Sequence, residues 1–162
     1  MVSWRPRTQT STVGSDRKGK VMSVDQNKQT ARRLYDEVLN KGVIDVIDQI
    51  AVPGYETHDP LPGQRTGSVG LKDRVNMLRT AFNPTFTIHD VIAEGDKVVV
   101  RWTNSGTMVS EFLGMPANGK SFSIPGIDVY RLENGKLAEH WHVIDLLGQL
   151  QQVGLFQNPA NG

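Results

Sequence analysis

The fold is decided by residues 119–147, which read GKSFSIPGIDVYRLENGKLAEHWHVIDLL. Apolar and polar residues alternate through 119–132 and again through 136–147, and this period of two predicts two half-buried strands. Residues 133–135 (Glu-Asn-Gly) predict a three-residue hairpin loop with glycine in the left-handed conformation. Because Pro125-Gly126 interrupts the first strand, we expect the sheet to bend there.

The upstream chain predicts the other elements of the same domain. Helical spacing of apolar residues begins at Asp25, the predicted N-cap, and ends at Asn40-Lys41-Gly42. Residues 52–67 contain three prolines and predict a long loop, which is often a functional feature. Further helices are predicted over 43–51 and 68–82, strands over 85–94 and 97–107 around a Gly95-Asp96 turn, and a short helix within 148–156.

Helices followed by strands with short connections predict an α+β fold with an antiparallel sheet. A bent sheet covered by the N-terminal helices would form a cone around an apolar pocket, as in cystatin-like folds and α+β barrels. The 162 residues suit one domain, which we place at 25–157. We expect a disordered arm over 1–24, whose five basic residues leave a tether as the alternative, and a disordered tail over 158–162.

The composition excludes several classes of function. The net charge is +1, from 18 Lys and Arg against 17 Asp and Glu, so neither nucleic acid nor a membrane is an expected partner. The absence of cysteine excludes disulfides, thiolate metal sites and a cysteine nucleophile. No apolar stretch is long enough to span a bilayer, and the first 22 residues have no signal-peptide core. We therefore expect a cytoplasmic protein.

Ionisable residues are densest on the last two predicted strands. The three-residue loop would pair Leu132 with Lys136 and place Asp128 opposite His140 and diagonal to His142. A two-residue turn would instead place Asp128 opposite Trp141. In the preferred register one face carries the titratable groups, and the other carries Ile127, Val129, Leu137, Trp141 and Val143.

A carboxylate beside an imidazole in a dry cleft can share a proton near neutral pH, whereas a structural hydrogen bond is the equally weighted alternative. The pair His58-Asp59 lies in the long loop. It is either at the pocket mouth, in contact with substrate, or Asp59 is a turn residue before Pro60 and His58 an exposed or capping side chain, which is the favoured alternative. His140 and His142 could share a metal with Asp128, but no further ligand spacing supports zinc, and we expect no metal and no other cofactor.

Four segments carry a resemblance to a known family: LYDEVLNKG (34–42), YETHDPLPGQRTGSVGLK (55–72), EFLGMPANGK (111–120) and GIDVYRLENGKLAEHWHVIDLLGQLQQVG (126–154). Together they resemble the SnoaL-like polyketide cyclases, or ester cyclases, of the cone-shaped superfamily that includes nuclear transport factor two, scytalone dehydratase and ketosteroid isomerase. The resemblance implies a homodimer or homotetramer without a cofactor. It places His142 where the family has its acid and Asp128 where the family has a histidine, so the pair is exchanged.

The resulting expectation is a cofactor-independent cyclase, lyase or isomerase acting on a hydrophobic, carbonyl-bearing molecule. Asp128 would take the proton α to the carbonyl, with its pKa raised by the apolar pocket, and His142 would act on the enolate oxygen. A hydrolase or dehydratase, or a binding module without catalysis, remains the alternative. The candidate substrate-binding residues are His140, Tyr130, His58, Trp102, Phe112 and Asp145.

Overall fold

A single five-stranded sheet organises the computed structural model, which describes residues 23–156. The strand order is β1–β5–β4–β3–β2. The predicted tail, and nearly all of the predicted arm, lie outside the described residues. The elements in chain order are α1 (Val24–Arg33), α2 (Val46–Ile50), β1 (Ala51–Thr57), α3 (Gly67–Phe82), β2 (Thr85–Glu94), β3 (Lys97–Thr107), β4 (Ser121–Glu133), β5 (Lys136–Ile144) and α4 (Leu146–Gln152).

The first helix begins earlier than predicted. Ser23, not Asp25, is the N-cap, and it forms a reciprocal capping box with Gln26. Beyond α1 the chain continues as a π-helical turn over Leu34–Leu39, which includes the fully buried Tyr35. Wide turns of this kind are frequent at functional sites.

Strands β2 to β5 are antiparallel, as the alternating pattern predicted, and β2 and β3 have the predicted bounds. The predicted loop over 52–67 is wrong in its first part, because β1 occupies Ala51–Thr57 and pairs in parallel with β5. Pro53 and Gly54 obscured the strand, since both residues weaken a strand pattern. An edge strand tolerates them.

The β4–β5 hairpin corrects the predicted register. Its turn has two residues, Asn134 and Gly135, both with positive φ, and it pairs Glu133 with Lys136. One extra β5 residue, Ala138, then forms a bulge between the pairs Leu132–Leu137 and Arg131–Glu139. As a result Asp128 lies opposite His142, and neither the preferred register nor its alternative was correct.

The helices and the sheet enclose the core on one face of the sheet. The two-residue turn pairs Leu137 with Leu132 and so places it in this core, whereas the sequence placed it on the outer face. The outer face exposes Ile127 and Val143, the latter to 75%. None of the helices in the described part of the chain is long and apolar enough to cross a membrane.

Candidate active site

A cavity of about 340 Å³ lies between the helices and the inner face of the sheet. The wall is predominantly apolar, and its large side chains include Leu71, Val75, Phe82, Phe86, Trp102 and Phe112. Besides two tyrosines, six polar or charged residues line it: Arg74, Asn104, Asp128, His140, His142 and Gln149. This volume is in the range of small-molecule sites. Of the residues predicted to bind substrate, Trp102, Phe112, Tyr130 and His140 line the cavity.

Asp128 is 6% exposed, and its carboxylate accepts hydrogen bonds from four side chains. Its Oδ1 atom accepts one from Nε2 of His140 at 3.1 Å. Its Oδ2 atom accepts one from Nε1 of Trp102 at 2.7 Å, one from the Tyr35 hydroxyl and a longer one from the Tyr130 hydroxyl at 3.3 Å. The carboxylate is therefore held in place on both oxygens.

This shell of donors determines the ionisation of Asp128. Burial by itself would raise the pKa of the carboxyl group, but the hydrogen bonds from His140, Tyr35 and Trp102 outweigh burial, and the pKa is lowered. The expected rise in the pKa of Asp128 is thus wrong in direction. A carboxylate with a lowered pKa and four donors is a weak base, so it is poorly suited to taking a proton from carbon.

Gly126 explains how Trp102 reaches Asp128. Gly126 lies opposite Trp102 on the neighbouring strand, and a Cβ atom at Gly126 would meet the indole ring at 2.2 Å. Only glycine therefore lets the ring lie across β4 and donate to the carboxylate. The sequence indicated a bend at Pro125-Gly126 but not this second use of the glycine.

His140 is buried and uses both ring nitrogens within the protein. Nε2 faces Asp128, and Nδ1 lies 3.2 Å from the hydroxyl of Thr57 on β1. The ring stacks between Tyr130, at 4.9 Å between centroids, and His142, at 5.2 Å. These contacts fix the position and the tautomer of His140.

His142 lies between a carboxylate and a guanidinium group at the cavity wall. Its Nδ1 atom is 2.6 Å from Oδ2 of Asp59, although that oxygen lies off the direction of a well-formed hydrogen bond. Its Nε2 atom is 3.4 Å from Nη2 of Arg74, and Arg74 also donates to the Asp59 carbonyl oxygen at 3.0 Å. Burial and the charge of Arg74 lower the pKa of His142, against the opposing charge of Asp59. The imidazole is therefore neutral at neutral pH and can accept a proton.

The same groups include a possible set of metal ligands. Donor atoms of Asp59, His140 and His142 lie within 4.8 Å of one another. The carboxylate of this set is therefore Asp59, whereas the sequence suggested Asp128. A cation here would lie near the Arg74 charge, and His140 would have to give up the contact of one of its nitrogens. The charge of Arg74 and the existing contacts of His140 both oppose metal binding, and a metal-free site remains our prediction.

Two residues predicted to bind substrate lie elsewhere. His58 stacks on Trp141 at 4.6 Å between ring centroids and lies 3.4 Å from Glu139, so it is outside the cavity. Asp145 caps α4 by accepting a hydrogen bond from the Gly148 amide at 2.8 Å. Aspartate side chains often cap helices, and Asp145 does so here. His58 packs against Trp141 and does not face the cavity.

Sequence reasoning missed four residues of the site: Tyr35, Asp59, Arg74 and Asn104. Tyr35 falls at helical spacing, which predicts only a helix. Asp59 precedes Pro60, and this favoured a turn residue over a place with His58 at the pocket mouth. Arg74 is a charged residue on a helix and gives no signal by itself. Asn104 continues the β3 alternation as a polar residue on the inner face, which was the one signal in the sequence.

Comparisons with known proteins agree with this geometry. The family model of the SnoaL-like polyketide cyclases matches residues 29–153. Aklanonic acid methyl ester cyclase DnrD of Streptomyces peucetius is 30% identical over 63% of this chain and 70% of its own length. Nogalonic acid methyl ester cyclase of Streptomyces nogalater is 28% identical over 71% and 88%. The structure of TsrD from Streptomyces laurentii superposes with a TM-score of 0.70 at 32% identity, covering 88% of this chain and all of TsrD.

Proposed function

Because the chain belongs to the SnoaL-like polyketide cyclase family, we propose that it closes a ring in the methyl ester of an aromatic polyketide by an intramolecular aldol-type addition. Membership of this family makes the protein a polyketide cyclase, and therefore an enzyme. The proposal goes further by naming the substrate class and by assigning the proton transfer to His142 in place of Asp128.

The observation that carries this assignment is the environment of His142. Asp59 lies against one ring nitrogen, and the other nitrogen has only the long 3.4 Å contact to Arg74. A neutral imidazole with a carboxylate at Nδ1 has its lone pair at Nε2, where it can accept a proton from a substrate in the cavity. A substrate carbonyl oxygen can accept a hydrogen bond from Arg74 in place of Nε2 of His142. The cost in free energy is small, since the 3.4 Å contact between these two side chains is longer than an ordinary hydrogen bond.

The reaction balances within the substrate. Nε2 of His142 takes the proton from the carbon α to a carbonyl, and the electron pair forms an enolate whose oxygen is stabilised by Arg74. The α-carbon then forms a bond with a second carbonyl carbon, and the resulting alkoxide takes the proton back from the imidazolium ion. The product is an isomer of the substrate. The charges of Asp59 and Asp128 both raise the pKa of His142 and so favour the transient imidazolium.

Asp128 acts through its neighbour in this scheme. Its carboxylate holds His140 in place, and His140 stacks on His142 and so restrains the imidazole. Asp128 is therefore a positioning residue. The Nδ1 atom of His140 contacts the hydroxyl group of Thr57, and this contact connects the hydrogen-bonded residues to β1.

Conversion of aklanonic and nogalonic acid methyl esters, followed by chromatography and mass spectrometry, tests the proposal. His142→Gln should reduce turnover by about 10²- to 10⁴-fold, the usual contribution of general acid–base catalysis. His58→Gln, on the outer face of the sheet, is the matched control and should retain wild-type turnover. A product of unchanged mass indicates cyclisation, whereas loss of the methyl ester or of water would indicate a hydrolase or a dehydratase. Turnover within threefold of wild type in His142→Gln would contradict the assignment.

The proposal includes two further expectations from the sequence. We expect a homodimer or homotetramer, because the outer face of the sheet exposes Ile127 and Val143 beside the half-buried Val129 and Trp141. We also expect the enzyme to act in the cytoplasm, where it would meet a newly made polyketide.

A further inference from the structure

A buried asparagine of the cavity wall has no part in the proposed reaction. Asn104 is 8% exposed, lines the cavity and lies on the inner face of β3. Its Oδ1 atom is buried, and within the described residues it has no hydrogen-bond partner. Buried carboxamides are normally hydrogen-bonded, so a group left unpaired at the wall of a cavity indicates a ligand.

The position of Asn104 relative to the reacting groups follows from the strand register. Asn104 lies opposite Ile124, whereas Val100, four residues earlier on β3, lies opposite Asp128. At about 3.3 Å per residue, the two levels of the sheet are roughly 13 Å apart. The Trp102 ring lies between them, across Gly126. The cavity therefore has a charged end at Arg74 and His142, a flat aromatic wall, and a neutral polar group at the far end.

We propose that the Asn104 carboxamide binds a ring oxygen, a quinone carbonyl or a phenolic hydroxyl, of a fused-ring aromatic substrate at the end remote from the bond being formed. This inference rests on the proposed function and deepens it by assigning a specificity-determining residue. A carboxamide offers an acceptor and a donor, and a half-turn of the group exchanges them, so either kind of oxygen can be bound. The apolar wall between the two ends suits flat rings.

Two soluble three-ring probes isolate this hydrogen bond. Anthraquinone-2-carboxylate and anthracene-2-carboxylate both carry an anion that can approach Arg74, but only the former has ring oxygens. Dissociation constants are measured by calorimetry for the wild type, Asn104→Leu and Asn104→Ala. We expect both variants to bind the anthraquinone about 3- to 10-fold more weakly relative to the anthracene, which corresponds to one neutral hydrogen bond.

The matched control is Asn27→Leu. Asn27 is also a buried asparagine with an unpaired Oδ1 atom, but it lies on α1 and is not part of the cavity wall. The ratio of the two dissociation constants should be unchanged in this variant. Melting temperature provides a second readout, because removal of an unpaired buried carboxamide at position 104 should not lower it.

The outcomes separate the two proposals. An unchanged ratio in both Asn104 variants would overturn the inference, and so would a failure of the wild type to prefer the anthraquinone. If the wild type converts neither methyl ester but the ratio changes as expected, the proposed reaction fails while Asn104 remains an oxygen-binding residue. If turnover occurs and the ratio does not change, only the assignment of Asn104 is wrong.

Discussion

Replacement of Asp128 by asparagine tests the hydrogen-bonded centre of the site. Three of its four donors, Tyr35, Trp102 and His140, lie within 3.1 Å of a carboxylate oxygen. Hydrogen bonds to a charged group contribute about 1.5–3 kcal/mol each, and bonds between neutral groups about 0.5–1.5 kcal/mol. Asp128→Asn keeps the shape of the side chain but removes the charge and replaces one acceptor oxygen by an NH2 donor. The amide oxygen can still accept from Trp102 and Tyr35, each bond weaker by about 1 kcal/mol, and the NH2 group can donate to Nε2 of His140 only if that imidazole changes its tautomer.

The amide is also cheaper to bury than the carboxylate, which offsets part of this loss. We therefore expect a net destabilisation of about 2 kcal/mol, or a fall in Tm of roughly 4–8 °C for a domain of this size. Asp128→Leu leaves all the donors unpaired and should cost more, on the order of 5 kcal/mol. His142→Gln, which leaves this centre intact, should cost less than about 1 kcal/mol.

Urea unfolding followed by tryptophan fluorescence measures these free energies. The pKa of Asp128 is lowered in the folded state, so its contribution is present above the unfolded pKa, about 3.9, and is lost as the pH falls through the folded pKa. The difference in the free energy of unfolding between wild type and Asp128→Asn should therefore be greatest near pH 7 and become smaller in strong acid. If Asp128→Leu proved as stable as the wild type, the four donors would not depend on the carboxylate, and the reasoning would be refuted.

Three other predictions concern charge, assembly and metal. Arg74→Gln should move the acid limb of kcat/KM to higher pH, because Arg74 lowers the pKa of His142; an unmoved limb would assign the titration to another group. Light scattering at micromolar concentration should find a dimer or larger assembly, and Val143→Glu on the exposed outer face should yield monomers, whereas a wild-type monomer would contradict the interface. Dialysis against a chelator should change neither Tm nor turnover, and stoichiometric zinc in the purified protein would contradict the metal-free site and make Asp59, His140 and His142 the candidate ligands.

The elements that the sequence predicted well are those with a complete local signal. Residues 85–94 and 97–107 are rich in β-branched residues on either side of the Gly95-Asp96 turn, and the structure has both strands at the predicted bounds. The first strand, Ala51–Thr57, was missed because its pairing with β5 is parallel and remote in sequence. Nothing in residues 51–57 themselves indicates that partner, and Pro53-Gly54 indicates a loop.

In the candidate site, as in the fold, the contacts between residues far apart in sequence were the ones that the sequence did not predict. Local alternation assigned the two histidines to one face of β5, but it assigned Asp128 to the same face only through a three-residue loop that the structure does not have. Their partners could not be found this way, because Tyr35 is 93 residues from Asp128 and Trp102 is 26 residues away. Contacts over such separations depend on how the helices pack on the sheet. Against burial, which raises the pKa of Asp128, His140 on the next strand lowers it most, and the remote donors Tyr35 and Trp102 lower it further, so the direction of the shift depends on the whole shell of donors.

The bulge at Ala138 allows the register of the β4–β5 hairpin to be tested by deletion of one residue. From the two-residue turn alone, strict alternation would place Asp128 opposite Trp141 and turn His140 and His142 to the outer face. The one extra residue restores the imidazoles to the cavity. Deletion of Ala138 should therefore abolish turnover and cost about 3 kcal/mol or more, because the buried carboxylate loses its histidine partner. Ala138→Gly keeps the length of the strand and should keep turnover within several-fold of wild type. Full turnover in the deletion variant would show that the bulge does not set the register.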